Sequence, residues 1–228
     1  MWLIYSIRIL LLINLIVLGV MGEWLNMVIV LSVIAITFIP EVLSRWIHVH
    51  LTRFMQYFLV FFALLAQWGG TYLRAYDYMS WWDIFLHGLS AVLVAFGGIV
   101  LLKMIDPKFR LWETKQYKVM SWFLFMTICA SAVFWEIFEF VGDTFFGTNG
   151  QLGSLSDTME DMIICVVVGI FFASFVGWSL RCGKDNFVTR QFEAFKALNT
   201  QEVAQESEEV FQELDFVCMP DKQKEIKN

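Results

Sequence analysis

The stretch FWEIFEFVGDTFFGTNGQLGSLSDTMED, from Phe134 to Asp161, carries Glu136, Glu139, Asp143, Asp157, Glu160 and Asp161 between two long apolar runs. Glu136, Glu139 and Asp143 follow an i, i+3, i+7 pattern, which is one face of a helix spanning about 10 Å along its axis. Asp157 and Asp161 are four residues apart, and Asp83 and His87 repeat that spacing at the start of another apolar run, so each pair shares a helix face. Carboxylates joined by one imidazole suit Mg²⁺, Mn²⁺, Ca²⁺, or Fe or Zn in an oxygen-rich site. Without a cation they must share protons. The candidate metal ligands are therefore Asp83, His87, Glu136, Glu139, Asp143, Asp157 and Asp161. Glu136 or Glu139 is the candidate general base for a metal-activated water. No Cys joins the group, and the chain shows no Ser, Cys or Lys nucleophile constellation.

Simpler roles exist for some of these acids. Asp83 and Asp157 are natural helix N-caps, and Asp157 with Glu160 three residues on resembles a capping box. Glu160 points away from the Asp157/Asp161 face and reads as a solvated charge, as does the loop residue Asp77. The acids of the fifth apolar segment resist this account. They lie in its last turns, where the helix dipole disfavours anions by about 0.3–1 kcal/mol each. Ionisable groups within a membrane span are costly and functional by default. The cations expected nearby are only Arg74 and a protonated His87.

These acids need a scaffold, and composition says it is a bilayer protein. The chain is 58% hydrophobic, with 23 Phe and 10 Trp in 228 residues and a mean hydropathy of +0.63, more than a water-soluble core of this size can use. Apolar runs near 3–21, 24–39, 55–73, 84–104, 119–141 and 159–180 predict an all-α polytopic membrane protein of six transmembrane helices. The second run is short, with Pro40 ending it early, so a tilted or re-entrant helix is the alternative there. The first holds one charge, Arg8, and no small-x-small cleavage site precedes Glu23, which favours an uncleaved helix over a signal peptide. Arg45, Arg53, Lys103, Lys108, Arg110, Lys115, Lys118, Arg181, Lys184 and Arg190 fall on one side of this arrangement and Arg74 alone on the other. The positive-inside rule then places both termini in the cytoplasm and the acidic stretch at the outer face of a cytoplasmic membrane.

The expected organisation is a transmembrane domain over 1–182, with its functional core in 80–180, followed by an acidic cytoplasmic tail over 183–228. Small residues spaced by four, Ala91 and Ala95, then Gly169, Ala173 and Gly177, allow close approach of the last three spans, while the Leu/Ile/Val-rich first two suit lipid contact. In the tail, Val188, Phe192 and Phe195 share a helical face, and disorder is expected past about Asp215. Cys129 and Cys165 lie within spans, and Cys182 and Cys218 on the inner side, so small apolar packing is the expected role of the buried pair. Trp81 and Trp82 read as an interfacial anchor, and His48 with His50 as a surface pair. The glycine-rich connector after Asp143 can fold back over the acids. With a net charge of −6, no nucleic-acid partner is expected.

The segments WWDIFLHGLSAVLVA, FWEIFEF and DTFFGTNGQLGSLSDTMEDM resemble the YjdF-like inner-membrane proteins of bacteria over about residues 80–170. The Glu-rich helix followed by an Asp-led, small-residue helix is more distantly similar to the VanZ-like membrane proteins. The resemblance implies a bacterial cytoplasmic membrane and groups His87, Glu136, Glu139, Asp143, Asp157 and Asp161, but it brings no reaction. The extra GSLS after Gly150 lengthens the connector relative to that pattern, and the acidic tail falls outside it.

Three functions fit the pattern. One is a metal-dependent hydrolase or transferase acting on a lipid-linked substrate at the outer surface. A second is a proton- or cation-binding transporter component, which needs a further polar station toward the cytoplasm. The third is a structural or partner-binding membrane protein with an acidic outer surface.

Overall fold

The computed structural model describes residues 2–147, 150–151 and 154–200, and these residues are helical, without strands. The helices are α1 (Trp2–Met21), α2 (Trp24–Thr37), α3 (Ile39–Trp46), α4 (Arg53–Ala63), α5 (Ala75–Tyr78), α6 (Trp82–Ile105), α7 (Arg110–Glu113), α8 (Tyr117–Phe146) and α9 (Leu155–Arg181). A π-helical stretch, Leu64–Tyr72, prolongs α4. Five helices, α1, α4 with its π extension, α6, α8 and α9, are long and apolar enough to cross a membrane. The pair α2 and α3 makes a sixth if taken together, bent by 41°. The chain is a polytopic helical membrane protein.

The early end expected before Pro40 is present: α2 stops at Thr37, and Pro40 falls in the first turn of α3, where a proline has no intrahelical N–H bond to lose. The break falls at Phe38. There Arg8, buried in α1, donates from Nε to Thr37 Oγ1 at 3.0 Å and from Nη2 to the Thr37 carbonyl at 2.5 Å. The same Nη2 meets Glu41 at 2.6 Å, and the guanidinium lies 4.0 Å from the centre of the Phe38 ring. The first two spans are thus more than lipid contact. An ion pair between the buried Arg8 and the part-exposed Glu41, together with the two bonds to Thr37, ties α1 to the bend.

Packing divides the spans. Helices α6, α8 and α9 pack on one another most closely, with Ala91, Ala95, Ile128, Ala132 and Cys165 buried between them. Gly169 lies against Ile128, where a β-carbon would stand 3.1 Å away, and at Gly177 one would overlap the Ser121 hydroxyl. These two glycines let α9 approach α8 as the small-residue spacing predicts. Helices α1 and α2 and the π segment form a second apolar group.

The end that carries the basic residues is closed by apolar packing. Phe96, Ile99, Leu102, Met120, Leu124 and Val176 bury there together with Phe192 and Phe195, which belong to a helix covering 187–200. Asn199 of that helix brackets the His50 backbone, accepting from its N–H at 2.9 Å and donating to its carbonyl at 3.0 Å. The shared face of Phe192 and Phe195 is therefore used against the bundle. The segment expected to be disordered, and Cys218, lie outside the described residues.

Candidate functional site

At the opposite end, the first turns of α6 and α9 and the last turns of α8 present their acids. Neither expected cap is one. Residue 81 caps α6 without a side-chain bond, which leaves Asp83 inside the helix. Ser154 caps α9 by accepting from the Asp157 N–H at 3.5 Å. The serine hydroxyl takes the capping role because it stands three residues before the free N–H, which puts Asp157 itself in the first turn. Asp83 is thereby left to His87, while Oδ2 of Asp157 is buried without a hydrogen bond.

His87 stands between two of the acids. Its Nε2 lies 3.6 Å from Asp83 Oδ1 on its own helix and 3.6 Å from Asp161 Oδ2 on α9. The ligand atoms of Asp83, His87 and Asp161 all lie within 4.8 Å of one another. Among the described residues this is the group of His, Cys, Asp and Glu side chains with the spacing to hold a metal ion. Edges of 3.6 Å compare with about 3.4 Å for a tetrahedron of 2.1 Å bonds. The backbone at His87 is fixed from two sides. Its carbonyl accepts from Ser90 Oγ at 2.7 Å and from the Cys165 thiol at 3.3 Å. Cys165 is one turn beyond Asp161, so this bond sets the register of α9 on α6 and refines the expectation that Cys165 serves only apolar packing.

The α8 acids behave differently from one another. Glu136 is 5% exposed, both its oxygens are buried, and Thr158 and Gln151, the donors that face it, do not reach it in full hydrogen-bond geometry. The side chains beside it, Thr158 and Gln151, bond to each other at 3.0 Å. Glu139 is half-buried and accepts from Trp135 Nε1 at 2.8 Å. Asp143 accepts from the backbone N–H of Gly150 at 2.7 Å and of Gln151 at 3.0 Å, so it holds the connector over α8. A β-carbon at Gly150 would stand 3.1 Å from Glu139, which gives the glycine there a packing reason. The left-handed Gly147, at φ 67°, ends α8 and begins this return. Residues 148–149 and 152–153 of the connector lie outside the described residues.

Asp161 faces the charges of Asp83, Asp157, Glu136 and Glu139. Glu160 is exposed and takes a bond from Ser156 at 3.0 Å, away from the group, as its helix position predicts. Arg74 does not balance the acids, because its Nε pairs with Asp77 at 2.6 Å on the exposed α5 turn. His50 bonds through Nδ1 with the Ser44 hydroxyl at 3.1 Å and takes no part in the acidic group.

A cavity of about 350 Å³ opens from this group, with Asp83, His87, Glu139, Tyr76 and Gln67 at one end. Ile36, Ile39 and Leu59 line it as well, so the earlier helices contribute a wall that the sequence assigned to a peripheral shell. Tyr76 and Gln67 are functional candidates missed in the sequence. Tyr76 packs its ring where a β-carbon of Gly70 would lie 2.4 Å away. Burial pushes its phenol above the usual range, and the nearby Asp83 adds to the effect. The signal that could have found it is the GlyGly pair at 69–70, six residues before Tyr76.

The chain belongs to the family described as "Predicted membrane protein (DUF2238)", whose model matches residues 2–181. No curated protein and no solved structure matches the chain significantly.

Proposed function

We propose that this member of that membrane-protein family is a metal-dependent hydrolase or transferase whose site faces the outer membrane surface and acts on a lipid-linked substrate. The observation that carries the reading is the convergence of Asp83, His87 and Asp161 beside the buried, under-bonded Glu136. A buried carboxylate short of hydrogen bonds is costly, and a divalent cation is the partner that Asp83, His87 and Asp161 are spaced to hold. When bound, the cation supplies Lewis acidity and an activated water. Glu139, steadied by Trp135, and Glu136 would serve as general base there. Tyr76, on the cavity wall, would serve as general acid. Asp143 positions the connector, and Asp157 completes the acidic wall.

The outer orientation rests on the basic residues at the far end of the bundle, and the resemblance to YjdF-like proteins is compatible with a bacterial cytoplasmic membrane. The reading as a transporter component gains one observation, the polar station of buried Arg8 and Thr37 with the part-exposed Glu41. Against it, the cavity is apolar at its deep end, and Phe192 and Phe195 close the basic end of the bundle. An activity screen of the purified protein on membrane lipids, with and without Mn²⁺ or Zn²⁺, tests the proposal. Metal-dependent turnover supports it. Metal-free protein that carries proton-coupled flux in vesicles replaces it with transport.

A further inference from the structure

The cavity has a shape that the acids alone do not explain. Its walls run from Asp83 to Val94 along α6 and from Glu139 back to Ile128 along α8. Each stretch is eleven residue steps, or about 16 Å at 1.5 Å per step. That is close to half the roughly 30 Å hydrocarbon core of a bilayer, the depth of one leaflet. Polarity is graded along it. Asp83, His87, Glu139 and Tyr76 stand at the acidic end, whereas Ile36, Leu59, Val94 and Ile128 surround the deep end. Two wall residues, Ile39 and Trp135, are also among the exposed apolar side chains. Apolar walls without a partner forfeit dispersion contacts, and in a membrane the abundant apolar filler is a lipid chain.

We propose that the cavity is the chain-binding half of the site, holding one alkyl chain of a lipid phosphate whose head sits at Asp83, His87 and Asp161, with Val94 and Leu59 setting the accepted chain length. This inference rests on the metal reading for its head group, because acids bind a phosphate only through a cation. It rests on the cavity alone for its chain. Pockets of this kind, apolar with a few convergent polar groups, bury most of their ligand and take their specificity from the polar end.

The test is native mass spectrometry of the full-length protein offered an equimolar mixture of octyl, dodecyl and hexadecyl phosphate, with or without Mn²⁺. A parallel sample receives the corresponding alcohols. The expected result is one alkyl phosphate per chain. Val94→Phe should shift the preferred length at least threefold toward the shorter chains, and Leu59→Ala should shift it toward the longer ones. The opposite signs keep the test informative if either variant fails to fold. Length selection that responds to the variants but not to Mn²⁺, and is equal for alcohols, sustains the chain cavity and overturns the metal-held head. Mn²⁺-dependent binding with the same length preference in wild type and both variants overturns the chain cavity and leaves the metal site standing. Binding of none of the probes overturns the proposal outright.

Discussion

Replacing Glu136 by leucine separates the demands of folding from those of function. Both Glu136 oxygens are buried and short of a hydrogen bond in full geometry, so the metal-free protein carries the desolvation cost of a polar group, about 1–3 kcal/mol. Leucine is of similar size and has nothing to satisfy. Glu136→Leu should therefore stabilise the metal-free protein by about that amount, or roughly 2–12 °C in melting temperature at 2–4 °C per kcal/mol for a chain of this length. Added metal should narrow the gap. At a hundredfold excess over its dissociation constant a bound ion adds about 2.7 kcal/mol to wild type, and the variant should gain less, having lost a neighbouring negative charge. The assay is thermal unfolding of detergent-solubilised protein, with chelator and then with Mn²⁺. A variant that melts below wild type in chelator would show that Glu136 already makes a stabilising contact, and the argument from its missing partner would collapse.

The parts of this protein legible in its sequence are those governed by periodicity along one helix. The long apolar runs became the spans, and the Glu136/Glu139/Asp143 stripe kept one face toward the bundle. What escaped depends on contacts between distant segments. Arg8 reads as a lone charge until Thr37 and Glu41, 29 and 33 residues later, close on it. Tyr76 reads as a loop residue until the π-helical turn sets Gly70 beneath its ring. The capping assignments failed for a local reason. Ser154 and Asp157 compete for the same end of α9, and both are good capping residues, so spacing alone did not decide between them.

Three further outcomes follow from the geometry. Gly70→Ala sets a β-carbon 2.4 Å from the Tyr76 ring; it should displace the phenol and lower turnover at least tenfold while metal content stays at the wild-type level, measured by kinetics and elemental analysis on one preparation. Arg8→Met removes the bonds to the buried Thr37 and should cost about 1–3 kcal/mol, and adding Glu41→Leu should recover little of it because the Glu41 side chain is 42% exposed, read by thermal unfolding of both. Reporter fusions after Asp106 and after Gly150 should report inside and outside respectively, and the reverse pattern would put the acidic site on the cytoplasmic face.

The central claim is that Asp83, His87 and Asp161 hold one divalent cation, and equilibrium dialysis against Mn²⁺ or Zn²⁺ followed by elemental analysis tests it most directly. The account predicts one ion per wild-type chain, affinity lowered at least tenfold in Asp161→Asn and in His87→Ala, and no change in Glu160→Gln, whose side chain faces away. Equal binding in all four proteins, or none in wild type at millimolar metal, would contradict it.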